Sequence, residues 1–214
     1  MGKDWFTKTT WTKDDQLDFE KRLQRTKNPV NKAQYLRIQA SYLEESEDAN
    51  LLEAALSLLV RSVQQFPNDL QMPWTCEQIA RCNEKLGRID ETITAYQAAL
   101  AAQRQSRSFK NNSEILFARF VIRNKLFALY ECAETYLPVI HIDDFALKIE
   151  IYYNNACRAI FANQRGDFTS AKSFALKSLE AFNATDSGLA RHKSLGLVKD
   201  TNPEFYALIC SLAK

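Results

Sequence analysis

Two histidines, His141 and His192, are the side chains of this chain best suited to acid–base catalysis near neutral pH. His141 lies in a Pro-Val-Ile-His-Ile segment between predicted helices, and His192 stands between Arg191 and Lys193 in a basic loop. No His-Glu-x-x-His pair occurs, and no other helical carboxylate–histidine pair has the spacing of a metal site. An enzyme would therefore need an active site that is assembled around one of these histidines from distant residues.

Other catalytic signatures are also missing from the sequence. It contains neither G-x-G-x-x-G nor the phosphate-binding G-x-x-x-x-G-K-[ST], and no G-x-S-x-G nucleophile turn. Asp143 and Asp144 are adjacent carboxylates, but they stand where a helix is predicted to begin, so helix capping explains them more simply than catalysis. The five cysteines include no C-x-x-C pair and are interpreted as small buried residues in a reducing cytoplasm. We predict no catalytic residue, no metal site and no cofactor.

The composition argues against several other classes of function. The chain has 214 residues, with 28 Lys+Arg against 26 Asp+Glu and a net charge of +2. Balanced charge disfavours nucleic acid or an anionic membrane as a partner, and no apolar run approaches the ~18 residues of a membrane span. Since 46% of the residues are hydrophobic and only five Gly and five Pro occur, we expect long helices around a core.

An internal repeat is the most informative pattern in the chain. Each copy has an alanine inside an apolar helical stretch, with a bulky or soft residue two places later. These alanines are Ala40, Ala80, Ala118 and Ala159. They are 40, 38 and 41 residues apart, and a period of this length in helical sequence is typical of stacked helical hairpins.

The second and fourth copies resemble tetratricopeptide repeats. The residues that carry this resemblance are Ala80, Leu86, Gly87, Tyr96, Ala99 and Leu100 in the second copy, and Ala159, Gly166, Phe168 and Ala171 in the fourth. The resemblance extends over about residues 32–184 and implies a solenoid of helical hairpins. The Asp-Trp-Phe start at residue 4, residues 33–40 and the Leu-Gly-Leu-Val stretch at residue 195 are also similar to uncharacterised bacterial repeat proteins of this kind.

The first and third copies depart from the pattern. The first carries Asp48-Ala49-Asn50 at its turn in place of glycine. The third must turn near Arg123-Asn124-Lys125 without glycine, so residues 113–137 form either a hairpin or one long helix.

The sequence therefore predicts one all-α domain, residues 1–214, with about nine or more helices in a right-handed α-solenoid of four tetratricopeptide-like hairpins. The predicted hairpins span residues 30–67, 71–106, 111–138 and 143–184. Residues 1–29 are predicted to cover the first hairpin, with Trp5, Phe6 and Trp11 on its apolar face. Residues 185–214 are predicted to form a loop and a capping helix at the other end.

In such a stack the first helix of each hairpin lines a concave surface that a partner can occupy. The surface positions are six and three residues before each repeated alanine, and one and four after it. The predicted partner-binding residues at these positions are Gln34, Arg37, Ser41, Glu44, Trp74, Glu77, Arg81, Glu84, Asn112, Arg119, Tyr153 and Asn163. The same positions in the third and fourth copies also include Ile115, Ile122, Ala156 and Ile160, so this part is more apolar. Arginine and aromatic residues commonly anchor protein interfaces.

Two other interpretations apply to these residues. Glu77, Arg81 and Glu84 could simply pair along an exposed helix, and Trp74 could pack against the preceding hairpin. Tetratricopeptide domains that capture a C-terminal carboxylate present Lys and Asn to it, whereas Glu77 and Glu84 would repel that ligand.

The sequence thus predicts a non-catalytic module that binds another protein and acts by occupancy. The most concrete form is a bacterial immunity-type protein that sequesters a toxin or effector domain in the cytoplasm. An adaptor or chaperone that binds short peptide segments is the alternative, and an enzyme that uses His141 or His192 is a further one. The oligomeric state is left open by the sequence.

Overall fold

The protein is entirely helical in the parts that the structure, a computed structural model, describes: residues 4–105, 111–140, 146–199 and 202–214. The predicted all-α class is confirmed, and no strand occurs in these ranges. The helices are α1 (Lys13–Arg25), α2 (Pro29–Glu44), α3 (Ala49–Gln65), α4 (Met72–Lys85), α5 (Ile89–Gln105), α6 (Ser113–Arg123), α7 (Tyr130–Tyr136), α8 (Lys148–Gln164), α9 (Phe168–Phe182) and α10 (Pro203–Leu212). A short 3₁₀ helix, Phe127–Leu129, precedes α7. His141, Asp143 and Asp144 lie outside the described residues.

The chain divides into two compact units, Met1–Ser113 and Glu114–Lys214. In the first unit α2 packs against α3 and α4 packs against α5, so two helical hairpins follow one another, and α3 and α4 are in contact. In the second unit α8 packs against α9, and α10 packs against both.

The four repeated alanines are fully buried. Ala40, Ala80, Ala118 and Ala159 are each 0% exposed. A methyl side chain lets a neighbouring helix approach closely, whereas a larger residue at this point would overpack the core. The prediction that these alanines face inward is confirmed.

The first helix of three hairpins ends in the same backbone motif. The residue seven places after the repeated alanine has a positive φ: 74° at Gly87, 53° at Lys125 and 84° at Gly166. The next residue donates its backbone N–H to the carbonyl oxygen five residues earlier, at 2.9 Å, 3.0 Å and 2.9 Å respectively. This is the Schellman motif, and it satisfies carbonyls that would otherwise lack a partner at the helix end.

The Schellman motif at Lys125 decides between the two predictions for residues 113–137. Helix α6 ends at Arg123 and α7 begins at Tyr130, so one long helix is wrong. The ring of Phe117 in α6 lies 6.2 Å from the ring of Tyr136 in α7, edge to face, which shows that α7 folds back toward α6. The turn therefore forms without glycine, at the place where the sequence predicted it.

Replacing Lys125 by glycine is expected to stabilise the protein by about 1 kcal/mol. A non-glycine residue pays roughly 1–2 kcal/mol for left-handed backbone, and part of this gain is lost because glycine is more flexible in the unfolded chain. Urea denaturation of Lys125→Gly checks the prediction, with Lys125→Ala as the control that removes the side chain but keeps the strain. A midpoint for Lys125→Gly no higher than that of Lys125→Ala would contradict it.

The N-terminal segment covers the apolar side of the first hairpin. Trp5 packs against Phe19 of α1 and Tyr35 of α2, with ring centroids 5.2 Å and 4.9 Å apart. Phe6 stacks on Tyr35 at 4.7 Å, and Trp11 lies edge to face with Phe19. These aromatic side chains pack against α1 and α2.

A buried glutamine fixes the backbone of this segment. Gln39 of α2 is 0% exposed, and its amide nitrogen donates to the carbonyl oxygen of Lys8 at 2.7 Å. Its amide oxygen accepts from the backbone N–H of Lys8 at 3.1 Å. A single side chain therefore satisfies both backbone groups of Lys8, so the segment can lie against the hairpin without leaving these groups unpaired.

Candidate protein-binding surface

The predicted partner-binding residues differ widely in burial. Gln34 and Asn112 are exposed, and Glu44 and Glu77 are buried at 6% and 7% exposure. The half-buried members are Arg37, Ser41, Trp74, Arg81, Glu84, Arg119, Tyr153 and Asn163. Ile115, Ile122, Ala156 and Ile160 are buried, so the apolar positions of the second unit belong to its core.

In the first unit Arg81 of α4 joins α4 to α2. Its Nε and Nη2 donate to the two carboxylate oxygens of Glu44 at 2.7 Å and 2.9 Å. Its Nη1 donates to Oε1 of Glu77, one turn earlier in α4, at 3.1 Å. Bidentate pairs of this kind combine charge with fixed geometry. Lys85 also donates to the backbone oxygen of Glu44, so the end of α2 is held from two positions of α4.

Glu77 is a carboxylate inside the protein. Its second oxygen accepts from the hydroxyl of Ser113 at 3.0 Å. Burial raises the pKa of Glu77, and the neighbouring Arg81 and the Ser113 hydroxyl oppose that rise. We call Glu44, Glu77, Arg81 and Ser113 the charge cluster.

Arg37 of α2 lies beside the charge cluster and interacts electrostatically with Glu77. Its Nε donates to the side-chain oxygen of Gln71 at 2.7 Å, which orients the guanidinium. Arg37 forms no ion pair with any residue that the structure describes. Burial and the positive charge of Arg81 lower the pKa of Arg37, and the carboxylate of Glu77 opposes that shift. This guanidinium is therefore partly desolvated, with Glu77 nearby but not in ion-pair contact.

The structure shows which local contacts Arg81 makes. The pairing of Glu77 with Arg81 along α4 does form, but Glu77 is buried and the helix face is not an exposed one. The contact between Glu44 and Arg81 joins two helices and was not foreseen. Opposite charges at adjacent positions of successive repeats were the available signal for it. Gln71 and Ser113 were also missed, because their contacts depend on how chain segments meet in space.

Glu84, a further predicted position on α4, has a local partner. Glu84 accepts a hydrogen bond from the hydroxyl of Tyr96 in α5 at 3.2 Å, so it holds the second hairpin together. Trp74 is half-buried in the first turn of α4.

In the second unit the structure brings two predicted residues together. The guanidinium carbon of Arg119 in α6 lies 3.7 Å from the ring centroid of Tyr153 in α8. This distance is typical of a cation–π contact. Arg119 and Tyr153 belong to successive repeats, and both are half-buried.

A groove of about 560 Å³ lies between α3, α4 and α5 in the first unit. Its lining is mostly apolar and includes Val63, Ile79, Ala95 and Ala98. Cys76 also lines it, and burial raises the pKa of this thiol. A protonated thiol is a poor nucleophile, so Cys76 is not suited to react, and Asp90 and Glu91 add two carboxylates to the lining.

Residues that could support catalysis are sparse in the described parts of the chain. His192 is exposed in a turn where its backbone N–H donates to the carbonyl oxygen of Leu189 at 3.1 Å. No group of three His, Cys, Asp or Glu side chains is placed to hold a metal ion within the described ranges. None of the described helices combines the length and the apolar character that crossing a bilayer requires.

The stability contributed by Glu77 is expected to fall as pH rises. Its pKa is raised above the ordinary value of 4.5, so the folded state binds the proton more readily than the unfolded state. Its contribution is therefore fully present below pH 4.5 and is lost as pH rises through the folded pKa. Urea denaturation between pH 4 and pH 7.5 should show the unfolding free energy of the natural protein declining relative to that of Glu77→Gln. A difference that is constant or grows with pH would contradict this assignment.

No protein-family model matches the chain, and neither a curated protein nor a solved structure is significantly similar to it.

Proposed function

We propose that this protein binds another protein and acts by occupancy, without catalysing a reaction. Its most concrete form is an immunity-type protein of the bacterial cytoplasm that sequesters a toxin or effector domain. The proposal includes a right-handed solenoid of four tetratricopeptide-like hairpins. The recurrence of the buried alanine in all four repeats, and of the same Schellman turn in three of them, supports this architecture.

The observation that carries the proposal is the half-buried guanidinium of Arg37, which forms no ion pair with a described residue. A half-buried cation has already lost part of its hydration, so a hydrogen bond that it donates to a partner restores more free energy there than at a fully exposed site. The Nε of Arg37 donates to Gln71, which fixes the plane of the guanidinium. The N–H groups of its two Nη nitrogens have no acceptor among the described residues. Arginine in such a setting is a common anchor of protein interfaces.

The charge cluster prepares this surface for binding. Both oxygens of Glu44 accept from Arg81, and the two oxygens of Glu77 accept from Arg81 and Ser113. These contacts fix α2 relative to α4 in the absence of a partner. Binding to a surface that is already ordered loses less conformational entropy than binding to a mobile one. Arg81 offsets one of the two negative charges of Glu44 and Glu77, and Arg37 also acts electrostatically on Glu77.

Arg37→Glu is expected to weaken partner binding by about 100-fold, because it replaces an anchoring donor with a repelling charge. Proteins that the natural chain retains from a lysate of its source organism but Arg37→Glu does not are first identified by mass spectrometry. The affinity of the purified partner is then measured by calorimetry. Arg25→Glu is the matched control, since Arg25 is exposed in the last turn of α1. Equal affinities for all three proteins would overturn the role of Arg37.

The outcome with peptides separates the two kinds of binding protein. An inhibitor of a folded toxin or effector should ignore short segments of that partner. Micromolar binding of isolated peptides, lost in Arg37→Glu, would favour an adaptor or chaperone in its place. Turnover by the purified protein that is abolished in His192→Ala would favour an enzyme.

A further inference from the structure

The guanidinium of Arg119 is oriented by the ring of Tyr153. The guanidinium carbon lies 3.7 Å from the centre of the Tyr153 ring, so the ring holds one face of the guanidinium. Tyr153 is itself held by Phe205 of α10, with ring centroids 6.1 Å apart, and by Tyr152 at 4.8 Å. The cation contacts the Tyr153 ring, and that ring is packed against two other aromatic rings.

The hydrogen-bond donors of Arg119 have no acceptor in the described parts of the chain. No hydrogen bond or ion pair joins Arg119 to a described residue. Arg158, in the same unit, shows the contrast: its Nη2 donates to the carbonyl oxygens of Leu137 and Pro138 at 2.9 Å and 3.3 Å. A guanidinium has five N–H donors along its edge, so at Arg119 this edge is available to a ligand.

Two neighbours of Arg119 along its helix are apolar, while Arg123, four residues after it, is a second cation. Ile115 and Ile122 stand one turn before and one turn after it in α6, and they are 7% and 9% exposed. In α8, Ala156 follows Tyr153 by about one turn and is 0% exposed. A hydrogen bond to an ionised group is stronger beside apolar side chains than in water, because less solvent screens it.

We propose that the Arg119–Tyr153 pair binds the side-chain carboxylate of an Asp or Glu on the surface of the protein partner. The inference rests on the proposed function and names the chemistry of the partner at this point. The two oxygens of a carboxylate match two parallel N–H donors of a guanidinium. A carboxylate carries one negative charge and is balanced by one guanidinium, whereas a phosphate dianion would leave a net negative charge beside the isoleucines.

Tyr153 acts in this proposal as a positioning residue. Its ring holds the plane of the guanidinium, and its hydroxyl is not required. Tyr153→Phe keeps the ring, so carboxylate binding should be retained in this variant. Tyr153→Leu removes the cation–π contact and frees the guanidinium to rotate, so binding should weaken by about threefold to fivefold.

The test uses a blocked peptide, so that the side chain is the sole carboxylate. N-acetyl-Ala-Glu-Ala-amide is titrated into the full-length protein labelled with nitrogen-15, and the Arg119 Nε–H resonance and the backbone amides of α6 and α8 are followed by NMR. N-acetyl-Ala-Gln-Ala-amide and inorganic phosphate are titrated in parallel. Arg119→Lys keeps the charge but loses the two parallel N–H donors of the guanidinium. It is compared with Arg191→Lys, a change at an exposed position of the same unit.

We expect saturable shifts at Arg119 with the glutamate peptide at millimolar concentration and none with the glutamine peptide. Arg119→Lys should weaken this binding about fivefold or more, while Arg191→Lys leaves it unchanged. Equal shifts with both peptides, tighter binding of phosphate, or unchanged binding in both Tyr153→Leu and Arg119→Lys would each overturn the proposal. The thermal midpoint of each variant, followed by circular dichroism, confirms that it is folded.

The failure of this inference can be told from the failure of the proposed function. If Arg37→Glu abolishes capture of the partner while Arg119 does not respond to the glutamate peptide, the binding function stands and the carboxylate site at Arg119 is wrong. If Arg119 binds the glutamate peptide while Arg37→Glu and Arg119→Glu both leave partner affinity unchanged, the carboxylate chemistry stands and its use in partner binding is wrong.

Discussion

Replacing Glu44 by glutamine is expected to lower the free energy of unfolding by about 2–3 kcal/mol. Glu44 is 6% exposed and accepts both arms of the Arg81 guanidinium, at 2.7 Å and 2.9 Å. An amide can accept at one of these positions but presents N–H donors at the other, where it faces another donor. The side chain of Arg81 is 37% exposed, so water recovers part of the loss and the value lies below that of a fully buried pair.

Glu77→Gln is the matched control for this substitution. Glu77 is buried to the same degree and contacts the same arginine, but it accepts one arm of Arg81 and the Ser113 hydroxyl. Burial raises its pKa, so removal of its charge relieves a desolvation cost and the net effect should be within about 1 kcal/mol of zero at neutral pH. Urea denaturation at pH 7 of the two variants checks that Glu44→Gln lowers the free energy of unfolding more than Glu77→Gln does. Equal decreases in the free energy of unfolding would show that Glu44 is no more important than Glu77 for joining α2 to α4.

Replacing Gly196 by alanine is expected to destabilise the protein by about 2–4 kcal/mol, through backbone strain and overpacking together. Gly196 has a φ of 71°. A methyl group there would lie 2.7 Å from the Cβ of Leu147, which is fixed to the backbone and cannot turn away. Gly196 also accepts a hydrogen bond from the backbone N–H of Ile149 at 2.8 Å, at the start of α8. The loop cannot retreat from Leu147 without weakening this bond.

Gly188→Ala separates the strain from the clash. Gly188 precedes Gly196 in the same loop and has a φ of 82°, but a methyl group at this position meets nothing within 4 Å. Gly188→Ala should therefore lower the free energy of unfolding by the backbone strain alone, about 1 kcal/mol. The difference between the two variants in thermal unfolding measures the close approach to Leu147. If both lose the same amount, the loop is not packed against α8 as described.

The helical class and the positions of several turns could be predicted from the sequence because they depend on local properties. Alanines at intervals of about 40 residues marked helix faces that must be buried, and each of them is buried in the structure. Gly87 and Gly166 marked helix ends because glycine adopts a positive φ without strain. The turn at Lys125 was predicted only as one of two possibilities, since its residue type does not indicate the conformation that it adopts.

The character of the candidate surface could be predicted only in part. Counting positions from the repeated alanine found Arg37, Arg81 and Arg119 and treated them alike. In the structure Arg81 is joined to Glu44 and Glu77, Arg37 is oriented by Gln71, and Arg119 lies over Tyr153. Reversal of all three charges would therefore disrupt the fold at Arg81 as well as any interface, so Arg37 and Arg119 are the positions at which binding can be tested.

The sequence by itself determined which residues are helical, where the hairpins recur and which side of each helix is buried, because periodicity, capping and helix-ending residues act within a few positions along the chain. The tertiary structure decided which charges neutralise each other. That outcome depends on distances of a few ångströms between side chains 34 to 37 residues apart, such as Arg37 with Gln71 and Arg81 with Glu44. Coulomb energies and hydrogen bonds change steeply over such distances, and helix periodicity alone does not specify them.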